Sequence, residues 1–342
     1  MSAPGADSDP TVRPRWQVGA VLLLVAIAAA APMMADSYAM SLLRDALIFS
    51  LLAIGLDFLW GKAGMLSFGH AAFFGAGAYG VAIVSTRWGL DPAIAAWVGL
   101  LAGLLIAAMV SLLVGYFLIF GKVRGPYFTI VTLALAAITD HIIVGWSQVT
   151  GGNAGLLGVQ PFHFPASGGA APLPALAQYW VILAVVAAIV GIIWRLCNGR
   201  YGALLAAIQD NEQRAQALGH NTSLHLLVVF VTSALIAALG GGLYAATVGF
   251  VAPDIAGLIL STQVIVWVAI GGRGTLVGPV VATVIVLWLE QKVSSIDTKL
   301  WPLAIGGLFI LSVFVFPDGI IAKLKSLVGA GWGSGQDGKS PS

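Results

Sequence analysis

The sequence predicts an all-α polytopic membrane protein with about ten transmembrane helices and both termini in the cytoplasm. Three observations lead to that fold class. Only 9% of the 342 residues are charged and 59% are hydrophobic. A soluble domain carries about 25% charged residues to cover its solvated surface, so most of this surface faces lipid. Five stretches, 16–35, 63–86, 92–121, 215–253 and 300–317, contain no Asp, Glu, Lys or Arg. Finally, the few basic residues cluster on one side of the predicted topology.

A helix needs about 20 apolar residues to cross the hydrocarbon core. On that length, spans fall at roughly 17–35, 39–60, 66–86, 92–120, 126–146, 178–196, 224–248, 256–270, 275–290 and 300–317. The pair 256–270 and 275–290 is short and separated only by Gly271-Gly272-Arg273-Gly274. It reads either as two spans or as one broken or re-entrant helix, so the total lies between eight and ten. With the N-terminus inside and ten spans, Arg13, Arg15, Lys62, Lys122, Arg124, Arg195, Arg200, Arg214, Arg273, Lys323, Lys325 and Lys339 all fall inside. Only Arg44, Arg87, Lys292 and Lys299 fall outside, the asymmetry that the positive-inside rule describes.

The polar tails, 1–15 and 329–342, read as disordered cytoplasmic ends of a membrane domain at 16–328. Arg13, Arg15 and the small residues Ala29–Ala31 also fit a cleavable signal peptide. Its removal would shift no later basic loop. Residues 147–177 form an external loop with no charged residue, and 198–223 an internal loop that is the one sizeable soluble-looking stretch.

Several chemistries are excluded. The single cysteine, Cys197, rules out a disulfide framework or an iron–sulfur site. A net charge of +2 gives no nucleic-acid surface. The nucleotide-binding pattern GxxxxGK[ST] is absent, because Lys62 is followed by Ala63 and Lys122 by Val123. The histidines at 70, 141, 163, 220 and 225 lack metal-site spacing, and no GxSxG elbow is present. No catalytic residue and no metal ligand is expected.

Three features remain. In the internal loop, Leu204, Leu205 and Ile208 form one apolar face of a short helix, and Gly219 is placed to end the turn after it. That face must be buried, either at the membrane interface or in a groove on a cytoplasmic partner. Between Gly61 and Tyr79, glycines and the Ser67/His70 pair interrupt an apolar run. Such breaks line pathways in transporters, and small residues also serve tight helix packing; the Gly99–Gly103 pair fits packing better. Asp140 and His141 lie inside a span, where an acid faces the bundle interior with a partner, in either a structural or a substrate- or proton-handling role.

Together these residues resemble the membrane permease subunits of ABC importers for branched-chain amino acids, in particular the LivM-like half of the pair. Gly64-Met65-Leu66-Ser67-Phe68-Gly69-His70-Ala71-Ala72-Phe73-Phe74, with Gly77-Ala78-Tyr79, is similar to that family's GQLSLGHAAFF…GAY. Arg124-Gly125-Pro126-Tyr127-Phe128-Thr129-Ile130-Val131-Thr132-Leu133-Ala134 resembles RGxYFAIVTLA, and Gly151-Gly152-Asn153-Ala154-Gly155-Leu156 resembles TGGxxGL. Asp210-Asn211-Glu212 with Ala217-Leu218-Gly219, the 271–279 segment, and Phe316-Pro317-Asp318-Gly319 complete the series.

The resemblance implies a heteromeric importer in a bacterial cytoplasmic (inner) membrane. A second, similar permease would complete the pathway, two cytoplasmic ATPases would bind the ATP and Mg, and a periplasmic or extracellular binding protein would deliver the solute. Arg200, Tyr201, Gly202, Leu204, Leu205, Ile208, Asp210, Asn211, Glu212 and Gly219 would form the coupling helix and its flanks. Replacing Leu205 and Ile208 with Asp would then abolish transport without preventing insertion. Ser67, Phe68, Gly69, His70, Phe73, Tyr79, Thr129, Thr132 and Asp140 are the pathway-lining candidates. There are departures from the pattern. Ala203, Ala206 and Gln209 stand where the family carries arginines, leaving Arg200 and Arg214 as the main charges. Ala137 replaces an acid, with Asp140 one turn later. Asp57 and Lys62 replace residues that are more often Asn and Tyr, and Asp57 with Trp60 is closer to urea-importer permeases. A urea or short-amide importer is therefore the nearest alternative. A stand-alone ion-coupled carrier is another, for which Asp140 is the acid found in mid-sequence.

Overall fold

The computed structural model describes residues 36–166, 169–297 and 300–315, with Ala28, Ala30 and Pro32. Most of the first expected span, both tails and the 316–319 motif lie outside the described residues. The rest is an all-α polytopic membrane protein. Its long helices are α1 (Ser37–Ala63), α2 (His70–Arg87), α3 (Pro92–Phe120), α4 (Pro126–Gly145) and α5 (Ala175–Cys197). Two short helices follow, α6 (Arg200–Asp210) and α7 (Glu212–Ala217), and then α8 (Thr222–Val248), α9 (Leu258–Gly271), α10 (Val277–Ser294) and α11 (Leu300–Val315). By length and composition alone, α3, α4, α5, α8 and α10 can cross a membrane. The segments at 256–270 and 275–290 are two separate helices packed on each other.

The bundle has an inner layer of α1, α2 and α8, which pack against one another. From Ala46 to Leu59, every residue of α1 except Phe49 is buried. Around this layer, α3 lies on α2 and α8, α5 and α10 lie on α1, and α4 rests on α2 and on the 3-10 turn Pro253–Ala256. The outer helices invert the soluble pattern. On α3 small buried residues recur every fourth position, Gly99, Gly103, Ala107, Ser111 and Gly115. The opposite stripe, Leu101, Leu105, Met109, Leu113 and Phe117, is exposed. Lipid is as apolar as leucine, so large side chains gain little by turning inward, whereas small ones let backbones approach. A Cβ on Gly99 would stand 2.6 Å from Val81 Cα, and one on Gly103 would stand 2.8 Å from Gly77 Cα. This glycine pair is a packing device.

The expected span at 66–86 begins later than the sequence suggests. Residues 64–69 are unwound and the helix starts at His70. The 147–177 loop also carries structure. Leu156–Leu157 pairs antiparallel with Phe250–Val251, tying the loop to the end of α8. His163–Ala166 pairs with Gly169–Pro172. The glycines of the 151–156 motif make the first of these possible: Gly151, Gly152 and Gly155 have φ of 79°, 56° and 71°, a region costly for residues with a Cβ. Loops assigned to one side by the basic-residue count meet at one end of the bundle, where Arg124 reaches Glu212 and Asp57 reaches the α9–α10 turn. The ladder of Leu156–Leu157 with Phe250–Val251 lies at the other end.

Candidate functional site

The break between α1 and α2 is a clamped segment. Gly64, at φ 71°, ends α1, and its N–H donates to Trp60 O. The unwound backbone that follows has donors and acceptors that must be satisfied in an apolar setting. Phe68 N donates to Thr132 Oγ1 (3.1 Å), and Thr129 Oγ1 donates to Leu66 O (3.2 Å). Gly69 N donates to Ser67 Oγ (3.2 Å), and Ala71 N donates to Ser261 Oγ (3.4 Å). His70 Nε2 lies 2.8 Å from Ser233 Oγ on α8. Short hydroxyl side chains from α4, α8 and α9 thus hold the break in place. Ser67, Gly69, His70, Phe73, Tyr79 and Thr132 are buried within the chain, while Phe68, Thr129 and Asp140 are half-buried. Beside the break, a cleft of about 450 Å³ is lined by Gly64–Leu66, Arg124–Pro126 and Phe128–Ile130. At the opposite end of α4, Asp140 and the exposed His141 border a second cleft of about 270 Å³ with Asp254.

Asp57, read from the sequence only as a departure from the family pattern, is a structural anchor. Its carboxylate is fully buried. It accepts hydrogen bonds from Gly274 N (2.5 Å) and Leu276 N (2.9 Å), at the turn between α9 and α10. The turn is tight: Leu276 holds a φ of +61°, and Arg273 lies 5.0 Å over the Trp60 ring. The available signal was physical. An acid in an apolar span needs donors, and the glycine-rich 271–274 segment has backbone N–H groups to give.

The 198–223 loop folds as a helix pair. Leu205 and Ile208 are buried, but not in the membrane interface or a partner groove as the sequence suggested. They pack into this chain's own core, where α6 rests on α1 and α5. An isolated short helix cannot leave apolar surface in water, and the bundle floor is the nearest cover. Ala203, Ala206, Gln209, Asp210, Gln213 and Arg214 are exposed. Asn211 separates the two helices with extended backbone and caps α7, accepting from Arg214 N at 2.8 Å. Gly219, at φ 92°, follows α7, and His220 N donates to Ala215 O, a closing bond of the kind glycine permits after a helix. Arg200 is exposed, and the hydroxyl of Tyr201 donates to His225 O.

Glu212 joins two of the sequence motifs. Arg124 grips its carboxylate with two bonds, at 2.8 and 3.0 Å, and Thr222 Oγ1 donates to it at 3.0 Å. The two side chains are only 29% and 27% exposed, less open to screening than the solvated Asp210–Arg214 pair. The Arg124 hydrogen bonds hold the Glu212 carboxyl below its ordinary range against the opposing effect of burial. A depressed folded pKa stabilises above the unfolded value and ceases to do so as pH falls through the folded one. Glu212→Gln is therefore expected to cost about 1 kcal/mol at neutral pH and nothing at acidic pH once Glu212 is protonated. Thermal melts of the solubilised protein across acidic pH check this; equal melting of the two forms at neutral pH would refute it.

Comparison with known proteins agrees with this architecture. The family model described as branched-chain amino acid transport system / permease component matches residues 38–316. The high-affinity branched-chain amino acid transport system permease protein LivM of Salmonella typhimurium is 26% identical over 332 residues, covering 90% of this chain and 76% of the relative. That of Escherichia coli is 26% identical over 325 residues, covering 89% and 75%. The autoinducer 2 import system permease protein LsrC of Escherichia coli is 29% identical over 153 residues, covering 43% and 44%. No solved structure matches. With the family model spanning nearly all of the described helices, the chain belongs to the permease-component family of branched-chain amino acid transport systems.

Proposed function

We propose that this chain forms half of the transmembrane pathway of an ATP-binding-cassette importer that carries a branched-chain amino acid into a bacterial cell. The observation that carries the reading is the α6–α7 pair. It is anchored to the bundle by Leu205, Ile208 and the Arg124–Glu212 bridge, and it presents an exposed outer face. A projecting element rigidly tied to α1, α4 and α5 is what a cytoplasmic motor must push on. The chain has no nucleotide-binding motif, so two ATPase subunits would supply ATP and Mg binding. A second homologous permease would cover the sparsely packed α4, and an external binding protein would deliver the solute. The distribution of basic residues favours a cytoplasmic α6–α7 end, and the bacterial relatives favour an inner-membrane location.

Asp57 and Trp60, the pair closest to urea importers, are engaged with the α9–α10 turn and line neither cleft. They say nothing about the solute. In a strain deleted for this chain, uptake of radiolabelled leucine, isoleucine and valine is expected to fall to background and to return on complementation. Loss of urea uptake with leucine uptake intact would instead establish the amide reading.

A further inference from the structure

The start of α4 is tied to the rest of the chain in two places that lead to different elements. Just before the helix, Arg124 holds the Glu212 carboxylate of α7 through Nε and Nη2. Its Nη1 donates to Ile119 O, at the end of α3, and to Val123 O, both at 3.4 Å. Glu212 also accepts from Thr222 Oγ1, in the first turn of α8. Inside the helix, Thr129 and Thr132 bond the unwound segment at Leu66 O and Phe68 N. The approach there is close, because a Cβ on Gly69 would stand 2.6 Å from Thr132 O. The cleft of about 450 Å³ touches both attachments, with Met65 and Leu66 on one wall and Arg124, Gly125 and Thr129 on the other.

A second observation concerns how little else holds α4. Of its 20 residues, Phe128, Thr132, Ala136 and Ile143 are buried. Its joint with α3 is also short. Val123 N donates to Leu118 O at 2.8 Å and Lys122 takes a φ of 55°, the pattern that closes a helix. Gly125 then has φ 58° and ψ −133°, and a Cβ placed there would meet nothing within 4 Å. The glycine therefore serves the backbone conformation and not packing. Arg124 and Gly125 connect two finished helices, and a few loop residues of this kind are what hinges use.

Coupling between separate sites is carried by contiguous bonds and rigid elements, and here the bonds are continuous from α7 to the break. We propose that Arg124 is a positioning residue for transport: by gripping Glu212 it makes α7 set how closely the start of α4 lies against the Gly64–Gly69 segment, and thereby the opening of the cleft between them. The inference rests on the importer reading and names a link through which the outer helix pair would act on the pathway. Arginine suits this task, since its planar fork holds a carboxylate in one orientation. Leu205 and Ile208 seat α6 on α1 and α5, whereas the bridge connects α7 to α4.

Two measurements test the link. In membranes holding the full chain with Cys197→Ser and Leu66→Cys, the new thiol is modified with N-ethylmaleimide, which is uncharged and so indifferent to the charge at position 124. Adding Arg124→Gln is expected to raise the rate at least about fivefold, the population shift worth one hydrogen bond, and Arg124→Lys to raise it less. An unchanged rate in Arg124→Gln overturns the positioning of α4 by the bridge. Separately, the transporter is reconstituted with its natural partners in proteoliposomes. At equal abundance, Arg124→Gln and Glu212→Gln are expected to lower leucine uptake at least about tenfold while ATP hydrolysis continues, with partial recovery in Arg124→Lys. Wild-type uptake in both variants, or uptake and hydrolysis falling together, overturns the role in transport, since a merely structural bridge would not separate the two. Absence of leucine uptake by the unmodified transporter overturns the importer reading instead, and the thiol rate, which needs no solute, then still decides whether Arg124 positions α4.

Discussion

Asp57→Ala is expected to destabilise the solubilised protein by about 3 kcal/mol, and Asp57→Asn by roughly half as much. The buried carboxylate accepts from Gly274 N and Leu276 N across 217 and 219 positions of chain. Alanine leaves both N–H groups without acceptors in a site that water does not reach. Asparagine keeps one carbonyl acceptor and faces the second N–H with an NH2 group, so one bond survives. The loss goes beyond the hydrogen bonds, because Leu276 holds a positive φ that only a fixed turn sustains. Freed of Asp57, the 272–276 segment would relax and α9 and α10 would lose their common anchor on α1. Melting temperatures of the three proteins, with proteolysis of the α9–α10 turn as a local readout, check the order wild type, Asn, Ala. A turn equally protected in Asp57→Ala would show that helix packing alone holds it.

Asp57 also shows what the sequence could and could not reveal. Span positions were legible because lipid imposes one rule on every residue of a crossing helix: the 92–120 span matches α3 at both ends, and 126–146 differs from α4 by one residue. Burial of small residues on α3 followed from the four-residue spacing of Gly99 and Gly103. The interruption near Gly64 was legible as well, from its glycines and polar residues. Its clamp was not, because Thr129, Thr132 and Ser261 lie far along the chain from residues 66–71. The same holds for the cleft that brings Asp140, expected near the pathway, together with Asp254, which nothing in its local sequence singled out. Pairings between distant segments are set by which helices pack, and hydropathy carries no information about that.

The amphipathic helix is the clearest case, and it reverses the meaning of a substitution. Leu205→Asp combined with Ile208→Asp is expected to leave little folded protein in the membrane, and not to give an inserted but uncoupled permease. The apolar spacing identified which side chains of α6 are buried; it could not identify what buries them. Both are closed off by this chain, and each change replaces a packed aliphatic group with a charge that has no partner there, at a cost of about 3 kcal/mol or more apiece. The exposed face behaves differently. Ala206→Glu adds a charge at an exposed position, so the protein should fold and melt like the wild type. On the importer reading, leucine uptake should fall at least about tenfold as the partner's contact is disturbed. Gel filtration of solubilised protein separates the two effects before uptake is measured. A double Asp variant that accumulates and melts normally would mean that α6 leaves the bundle floor freely and that its inner face is available to a partner. Loss of folding in that variant, with loss of transport alone in Ala206→Glu, would show that α6 is seated on α1 and α5. A push on its outer face would then be carried directly into α1, the helix that ends at the Gly64–Gly69 break.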